Sequence, residues 1–370
     1  MSILETSTPL PRTKAPIRVM VVDDSAVIRG LTKRVLNEDP AIEVVSSMSN
    51  GKLAVEKLTR DPVDVVVLDI EMPVMDGLTA LPLLLKAQPN VRIVMSSALT
   101  QRNAEISIKA LRAGAADYIP KPSAIAGMSS TDFKRELITK VKSLGHARAT
   151  ASTKTRPVAA SASAVPVAMS TQRPSLMRPK LLAVGSSTGG PQALFAFIEK
   201  LDRAINVPVV ITQHMPPTFT RILAEHITKS TDWPCHEGVP GEPLTAGVIY
   251  LAPGDYHMVI EIKDGTPCIA LNQASPENFC RPSVDPMLRS AVEAFGGRVI
   301  TTILTGMGSD GMKGCEALVE SGGTVVAQDE ASSVVWGMPG AVARAGLCSA
   351  ILPLDQISEY INQRFKVGLA

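Results

Sequence analysis

Residues 181–191 have the sequence LLAVGSSTGGP, an apolar run followed by a glycine-rich turn and a proline. The apolar run predicts a buried β-strand, and Pro191 suits the first turn of a helix, where a missing N–H costs nothing. A strand that passes through a tight turn directly into a helix is the repeating unit of a parallel α/β sheet. This stretch therefore predicts a parallel sheet with a functional group at the strand's carboxyl end.

The same alternation of apolar runs and helix-period segments occurs on both sides of this stretch. Predicted strands cover residues 17–22, 42–45, 63–68, 91–95 and 115–119, and then 180–184, 207–212, 248–251 and 299–304. A turn-rich segment separates the last two of them. Short buried strands that alternate with helices predict parallel sheets covered on both faces. We therefore predict an α/β protein with two doubly wound parallel-sheet domains.

Length and composition agree with two soluble domains. The chain has 370 residues, 45% hydrophobic and 19% charged, with a net charge of +2. That charge is too small to predict a nucleic-acid or membrane partner, and no apolar stretch approaches the length of a membrane span. The five cysteines form no Cys-x-x-Cys pair, as expected for small buried side chains in a reducing compartment. A cytoplasmic location is expected.

Residues 147–178 are rich in Ala, Ser, Thr and Pro, with five basic residues and no acidic one. Such a segment has little to bury and much entropy to lose, so it is predicted to be a flexible linker. The predicted organisation is a first domain at 17–140, this linker, and a second domain at 179–368.

Acidic and cationic side chains stand at the carboxyl ends of the first domain's predicted strands. Asp23 and Asp24 follow the first strand and Asp69 ends the third. Three carboxylates gathered at one edge repel one another unless a divalent cation joins them, and hard oxygen ligands favour Mg²⁺. Ser97 and Lys121 follow the fourth and fifth strands and could reach a phosphoryl oxygen.

Together these positions resemble the receiver domain of two-component response regulators, which has a flavodoxin-like fold. The resemblance implies that Asp69 is the phosphoacceptor, and that Ser97, Lys121 and Tyr118 form the phosphate switch. It also implies a Mg²⁺ site for phosphorylation, formed by Asp69, Asp24, Asp23 in the outer shell and the backbone carbonyl of Glu71. A histidine kinase is the implied phosphodonor.

The turn at 185–190 has two interpretations. A helix N-terminus beside Ser187 directs free N–H groups and positive partial charge at that hydroxyl, which is what an oxyanion hole requires. A phosphate-binding glycine turn fits the same letters equally well. No P-loop Gly-Lys-Ser/Thr and no ribose-binding acid accompany it, which disfavours a nucleotide.

Two further strings supply a base and an acid. His214 stands at the end of the predicted strand 207–212 and is followed by Pro216. None of the other histidines stands at the end of a predicted buried strand; they are His146, His226, His236 and His257. The string TGMGSDG at 305–311 follows the strand 299–304 and carries Asp310. We predict that Asp310 accepts the Nδ1–H of His214, so that Nε2 faces Ser187.

The chain order Ser, His, Asp differs from those of α/β-hydrolases, chymotrypsin-like proteases and subtilisins. It matches the catalytic domain of the chemotaxis receptor methylesterases, which residues 179–368 resemble closely and which has a Rossmann-like α/β fold. Supporting strings are LAPG at 251–254, RPSVD at 281–285 and MPG at 338–340. Ser186 stands where Ala is common, and Ser187 is the predicted nucleophile of the two serines.

This second resemblance implies a phosphorylation-activated hydrolase that removes methyl groups from glutamate γ-methyl esters of chemoreceptor helices and deamidates receptor glutamines. Ser187, His214 and Asp310 are the implied triad, with Met307 and Thr188 at the oxyanion hole and no cofactor for the ester reaction. The rival interpretations are a nucleic-acid or nucleotide-binding output module and a phosphate-controlled scaffold. Sparse aromatic residues and the lack of a Lys/Arg cluster in the second domain disfavour nucleic acid.

Overall fold

The structure, a computed structural model, describes residues 15–98, 100–121, 130–153 and 172–366, with the backbone alone for Ser130 and residues 147–153. Two separate parallel sheets lie within these residues, which confirms the predicted α/β class with two parallel-sheet domains. We call residues 15–153 the N-terminal unit and residues 172–366 the C-terminal unit.

The N-terminal unit is a five-stranded sheet covered by helices on both faces. Its strands are β1 Ile17–Val22, β2 Ile42–Met48, β3 Val65–Asp69, β4 Arg92–Ser97 and β5 Asp117–Pro120. Its helices are α1 Ala26–Asn37, α2 Gly51–Arg60, α3 Gly77–Ala87, α4 Gln101–Arg112 and α5 Ser130–Thr153. The strand order β2-β1-β3-β4-β5 is the flavodoxin-like order.

Burial on both faces explains why the central strand β3 is apolar up to its last residue. Every residue of β3 is buried, including Asp69 at its end. Helices begin where a side chain can accept their free N–H groups: Asp76 accepts from Thr79 N at 2.7 Å at the start of α3. Because parallel strands end at the same edge of a sheet, the acidic residues at the ends of β1 and β3 stand together at that edge.

The C-terminal unit is built on a seven-stranded parallel sheet with an additional hairpin. Its strands are β6 Leu181–Ser186, β7 Val209–Gln213, β8 Cys235–Glu237, β9 Ile249–Leu251, β10 His257–Lys263, β11 Thr266–Asn272, β12 Val299–Ile303, β13 Thr324–Gln328 and β14 Ala350–Leu352. Its helices are α6 Gly190–Ile198, α7 Pro217–Thr231, α8 Val284–Phe295, α9 Met312–Glu320, α10 Met338–Arg344 and α11 Leu354–Lys366.

The order of this sheet is β14-β13-β12-β6-β7-β9-β8, and β10 and β11 form the antiparallel hairpin beside it. The chain runs outward from β6 to one side and then returns to β12 to build the other side. The reversal point of such a sheet leaves a crevice at the carboxyl ends of the strands, where ligands bind. The turns that carry Ser187 and Asp310 leave the sheet at this point.

Five strands of the C-terminal unit were not predicted: β8, β10, β11, β13 and β14. The helix α5 continues to Thr153, beyond the start of the predicted linker at residue 147. Residues 154–171 of that linker lie outside the described residues. From Gln172 the chain lies against the C-terminal unit, where the N–H of Gln172 donates to the carbonyl of Cys348 at 2.7 Å. The predicted domain boundaries remain predictions.

Candidate active site

Neighbouring strand ends bring Ser187 and His214 side by side. Ser186 and Gln213, the last residues of β6 and β7, are partners in the sheet register, so the next residue of each strand emerges at the same level. The His214 N–H donates to the Ser186 carbonyl at 3.2 Å, and the Ser187 N–H donates to the Thr305 carbonyl beyond β12 at 3.1 Å. Backbone hydrogen bonds therefore fix the spacing of the three loops that follow β6, β7 and β12.

The imidazole of His214 pairs with the carboxylate of Asp310, at 2.7 Å between Nε2 and Oδ2. The prediction that Nδ1 would bond to Asp310 was wrong. The strands β7 and β12 lie on opposite sides of β6, about 9–10 Å apart. The ring nitrogen farther from the backbone reaches Asp310, so Nδ1 is the nitrogen that Asp310 does not occupy.

Asp310 also caps the helix α8, although it belongs to a distant loop. It accepts the N–H groups of Val284 at 2.6 Å and Asp285 at 3.2 Å, and the hydroxyl of Ser283 at 2.6 Å. Burial raises the pKa of this carboxyl, but His214, Ser283 and the Val284 N–H together hold its pKa well below the usual value. The carboxylate is therefore ionised whenever the fold is intact.

The charge of Asp310 acts in turn on His214. Burial lowers the pKa of the imidazole, but contacts with the Cys280 thiol and the Asp310 carboxylate outweigh it and hold that pKa well above 6.5. The ring is consequently protonated at neutral pH in this arrangement. The imidazole can accept a proton from a serine only after it has released the proton that it carries.

The two adjacent serines have different surroundings. The Ser186 side chain is fully buried, and its hydroxyl donates to Oε1 of Gln213 at 2.7 Å. The Ser187 side chain is half-buried, and its hydroxyl has no hydrogen-bond partner among the described residues. Of the two, only Ser187 offers an uncommitted oxygen to a substrate.

Two backbone N–H groups beside Ser187 are free to hold an oxyanion. Neither Thr188 N nor Met307 N donates a hydrogen bond to another group in the part of the chain that the structure describes. The turn that leads from Ser187 into α6 depends on Gly189, whose φ of 76° lies in the region that favours glycine. A side chain at Gly306 would come within 3.0 Å of Ser187 Cβ, so glycine keeps this loop close to the serine.

The N-terminal unit covers this edge of the C-terminal unit. The hydroxyl of Thr188 donates to Oδ2 of Asp117 in β5 at 2.6 Å. The Tyr118 ring stacks on Phe219 of α7 with centroids 4.3 Å apart. The Gln192 amide of α6 donates to the carbonyl of Ala115 at 2.7 Å and also to that of Leu111. The residue next to Ser187 is thus bonded directly to the other unit.

A buried ion pair supports this contact. The Lys140 ammonium lies 3.1 Å from Asp117 and 2.9 Å from Glu136, and it donates to the Tyr118 carbonyl at 2.6 Å. Burial lowers the pKa of Lys140, but Asp117 and Glu136 raise it above its ordinary value, so the lysine stays charged. Tyr118, the predicted switch residue, is buried in this interface rather than exposed.

The acidic cluster of the N-terminal unit forms a second site. Carboxylate oxygens of Asp23, Asp24 and Asp69 all lie within 4.8 Å of one another. Lys121 Nζ lies 2.8 Å from Asp23 and 2.7 Å from Asp69. One ammonium does not neutralise three carboxylates, so the donor set fits a hard divalent cation such as Mg²⁺.

The pKa of Asp69 agrees with a site for a divalent cation. Its pKa is raised to about 6, because burial, and then the nearby Asp23 charge, outweigh the lowering effect of Lys121. A bound cation would relieve this excess of negative charge. Asp24 and Glu71 line the same cleft, which holds about 420 Å³. The Ser97 hydroxyl instead lies 3.2 Å from that of Ser107 in α4.

Several residues of the site were not predicted. The Asn278 amide donates to Asp310 at 2.9 Å and to Asp285 at 3.0 Å, and so joins two buried carboxylates. Burial, and then the Asp310 charge, raise the pKa of Asp285. The string RPSVD at 281–285 signalled Ser283 and Asp285 only through the family resemblance. Asn278 and Asp117 gave no sequence signal.

Comparison with known proteins gives the family. The sequence model described as CheB methylesterase matches residues 182–361, and that of the response regulator receiver domain matches residues 19–130. A protein-glutamate methylesterase/protein-glutamine glutaminase of Rhodospirillum centenum is 55% identical over 370 residues, covering 94% of each chain. The chain belongs to this methylesterase/glutaminase family.

Another family member, from Azospirillum brasilense, is 54% identical and covers 94% of this chain and 92% of its own. Among solved structures, the catalytic domain of Thermotoga maritima CheB methylesterase is 36% identical and covers 52% of this chain and all of its own, with a TM-score of 0.49. The response regulator domain of the same organism's CheB is 41% identical over 35% of this chain and 97% of its own, with a TM-score of 0.32.

Within the described residues, no helix combines the length and hydrophobicity that crossing a membrane requires.

Proposed function

We propose that this chain hydrolyses γ-methyl esters of glutamate side chains on chemoreceptor helices, releasing methanol, and deamidates receptor glutamines at the same site. The observation that carries the proposal is the free Ser187 hydroxyl beside a histidine that is paired with a buried, ionised aspartate. Family membership supplies the substrate class, and the geometry supplies a means of attack.

In the proposed reaction, His214 accepts the Ser187 proton through Nδ1 as the serine oxygen attacks the ester carbonyl. The N–H groups of Thr188 and Met307 hold the negative charge that develops on the carbonyl oxygen. His214 then donates the proton to the departing methoxide, and a glutamyl ester of Ser187 remains. Water, deprotonated by His214, hydrolyses this ester and restores the serine.

Asp310 holds the imidazole in place throughout and stabilises its protonated form. The same attack on a receptor glutamine would release ammonia instead of methanol, since the amide and the methyl ester share their carbonyl geometry. Neither reaction draws on a group outside the polypeptide and water.

We propose further that phosphorylation of Asp69 by a histidine kinase relieves a block. Asp23, Asp24, Asp69 and the Glu71 carbonyl would hold Mg²⁺, which neutralises charge during phosphoryl transfer. The contacts of Tyr118 and Asp117 place the N-terminal unit beside Ser187 and would keep out a receptor helix. Phosphoryl oxygens drawn to Lys121 and Ser97 would shift the population toward a separated form.

A serine substitution pair tests the esterase assignment. Ser187→Ala should reduce methanol release from methyl-labelled receptor membranes to the background rate, because no other free hydroxyl stands at this position. The matched Ser186→Ala variant loses only a buried hydrogen bond to Gln213 and should keep most of its activity. If Ser186→Ala were inactive and Ser187→Ala active, the nucleophile would be Ser186 and not Ser187.

A further inference from the structure

A two-residue turn beside the triad presents an aromatic ring to solvent. Glu277 and Cys280 exchange both backbone hydrogen bonds, at 3.2 and 2.9 Å, and Asn278 and Phe279 form the tip between them. Both tip residues have positive φ, 52° and 62°, the sign pattern of a type I′ turn. Asparagine suits the first of these positions, and the second normally calls for glycine.

The turn is anchored on several sides, so its tip has a defined position. Glu277 forms a two-point ion pair with Arg289 of α8, with contacts of 3.0 and 2.5 Å. Arg281 forms a corresponding pair with Asp255, at 2.6 and 3.0 Å. Asn278 donates to Asp310 of the triad. The tip therefore holds a fixed place relative to His214.

Phe279 contributes little to the fold at this position. Its side chain is 85% exposed, the highest value for an aromatic residue among the described residues. A bulky residue in the left-handed region strains the backbone. An exposed ring on a strained, anchored backbone adds little to the stability of the fold, and its position beside Asp310 and His214 points to a role in function.

We infer that Phe279 is a substrate-contacting residue, which binds an apolar side chain of the receptor helix next to the esterified glutamate. This inference rests on the proposed function. The occupant follows from position: the residues on both sides of Phe279, Asn278 and Cys280, contact Asp310 and His214, so the ring stands beside the groups that act on the ester. Aromatic rings supply large apolar contact area in protein recognition.

One side chain of the N-terminal unit reaches this ring in the structure. The Arg135 guanidinium of α5 lies over the Phe279 ring, 5.4 Å from its centroid. Arg135 is also paired with Asp132 on its own helix, at 2.9 Å. Separation of the units would remove this contact at the same time as it uncovers Ser187, so the ring and the serine would become available to a substrate together.

The substitution Phe279→Gly tests the inference in the full chain, assayed with a phosphodonor and Mg²⁺. Glycine removes the ring and suits the backbone, so the thermal unfolding midpoint should stay the same or rise. KM for methyl-labelled receptor should rise roughly five- to fiftyfold with little change in kcat. Hydrolysis of a small ester such as p-nitrophenyl acetate should be unchanged, since it has no side chain to reach the ring.

The matched control is Ile262→Ser, which removes an apolar side chain that is 52% exposed on β10, away from the triad. Its KM for receptor should equal that of the parent chain. An unchanged receptor KM in Phe279→Gly would overturn the inference, as would a lowered unfolding midpoint, which would make the ring structural. Failure of the parent chain to release methanol would instead contradict the proposed function.

Discussion

At the scale of single residues, Asp310 joins the fold of the C-terminal unit to its chemistry. One carboxylate caps α8 through the N–H groups of Val284 and Asp285 and also pairs with His214. His214, Ser283 and the helix N–H groups hold the pKa of the carboxyl low, and Cys280 and the carboxylate together raise the pKa of the imidazole. The acid of the proposed triad is therefore stabilised by structure that the proposed reaction does not use.

This arrangement predicts how the rate depends on pH. Because the pKa of His214 is raised above 6.5, the rate of ester hydrolysis should rise with pH and reach its midpoint above that value. Asp310→Asn removes the charge that stabilises the imidazolium, so the midpoint should fall. The plateau should drop by up to about 10⁴-fold, the loss seen when serine proteases lose the corresponding carboxylate.

The same shift has a consequence for stability. A raised folded-state pKa means that the charged His214 contributes stability fully below pH 6.5 and loses it as pH rises through the folded value. The parent chain should therefore lose stability over that range relative to Asp310→Asn. A rate midpoint at or below 6.5, or one that Asp310→Asn leaves in place, would contradict the assigned pairing.

The sequence predicted the participants of the site better than their geometry. Ser187, His214 and Asp310 each follow a buried apolar run, and a parallel sheet necessarily brings such positions to one edge. Which ring nitrogen faces Asp310 depends instead on the strand order, in which β6 lies between β7 and β12. No local sequence pattern reveals that order. Asn278 contacts Asp310 across 32 residues of chain, so its role was also beyond sequence reasoning.

At the scale of elements, the interface between the units depends on α6. The Gln192 side chain donates to the carbonyls of Leu111 and Ala115 at the end of α4, and Phe195 lies under the Arg112 guanidinium at 4.7 Å. The helix that begins beside the nucleophile thus carries contacts that hold the N-terminal unit in place. Weakening them should open the site without altering the triad.

Gln192→Ala tests this role of α6. The variant loses two hydrogen bonds of about 0.5–1.5 kcal/mol each, so the population of the separated form should rise by roughly five- to 150-fold while it remains the minor form. Methanol release without a phosphodonor should rise by the same factor, while the fully phosphorylated rate should stay unchanged. Gln363→Ala on α11, which removes an exposed amide from a different surface, is the control and should leave both rates alone. A basal rate equal to that of the parent chain would argue against the interface.

Elements with a strong local pattern were predicted, and those without one were not. The apolar run of β3 and the β-branched run of β12 predicted buried strands correctly. The strands β8 and β14 have three residues each, too few to establish a periodicity. The hairpin of β10 and β11 did carry a signal, the Asp264-Gly265 turn with φ values of 50° and 77°.

At the scale of the whole molecule, the two units are physically linked by the contacts that the proposed switch would break. The acidic cluster around Asp69 lies at the carboxyl edge of one sheet, and Ser187 lies at the carboxyl edge of the other. Between them, β5 carries both Asp117, which bonds to Thr188, and Tyr118, which stacks on Phe219. Sequence predicted both sites, but the contact between them depends on how the two sheets pack, which residue patterns do not specify.

The most direct test of this account is the initial rate of methanol release from methyl-labelled receptor membranes by the full chain, with and without a small phosphodonor and Mg²⁺. We expect a low basal rate that rises at least tenfold with the phosphodonor, and no rise in Asp69→Asn, which lacks the acceptor carboxylate. A rate that the phosphodonor leaves unchanged or lowers, in a chain shown to be phosphorylated, would contradict the account.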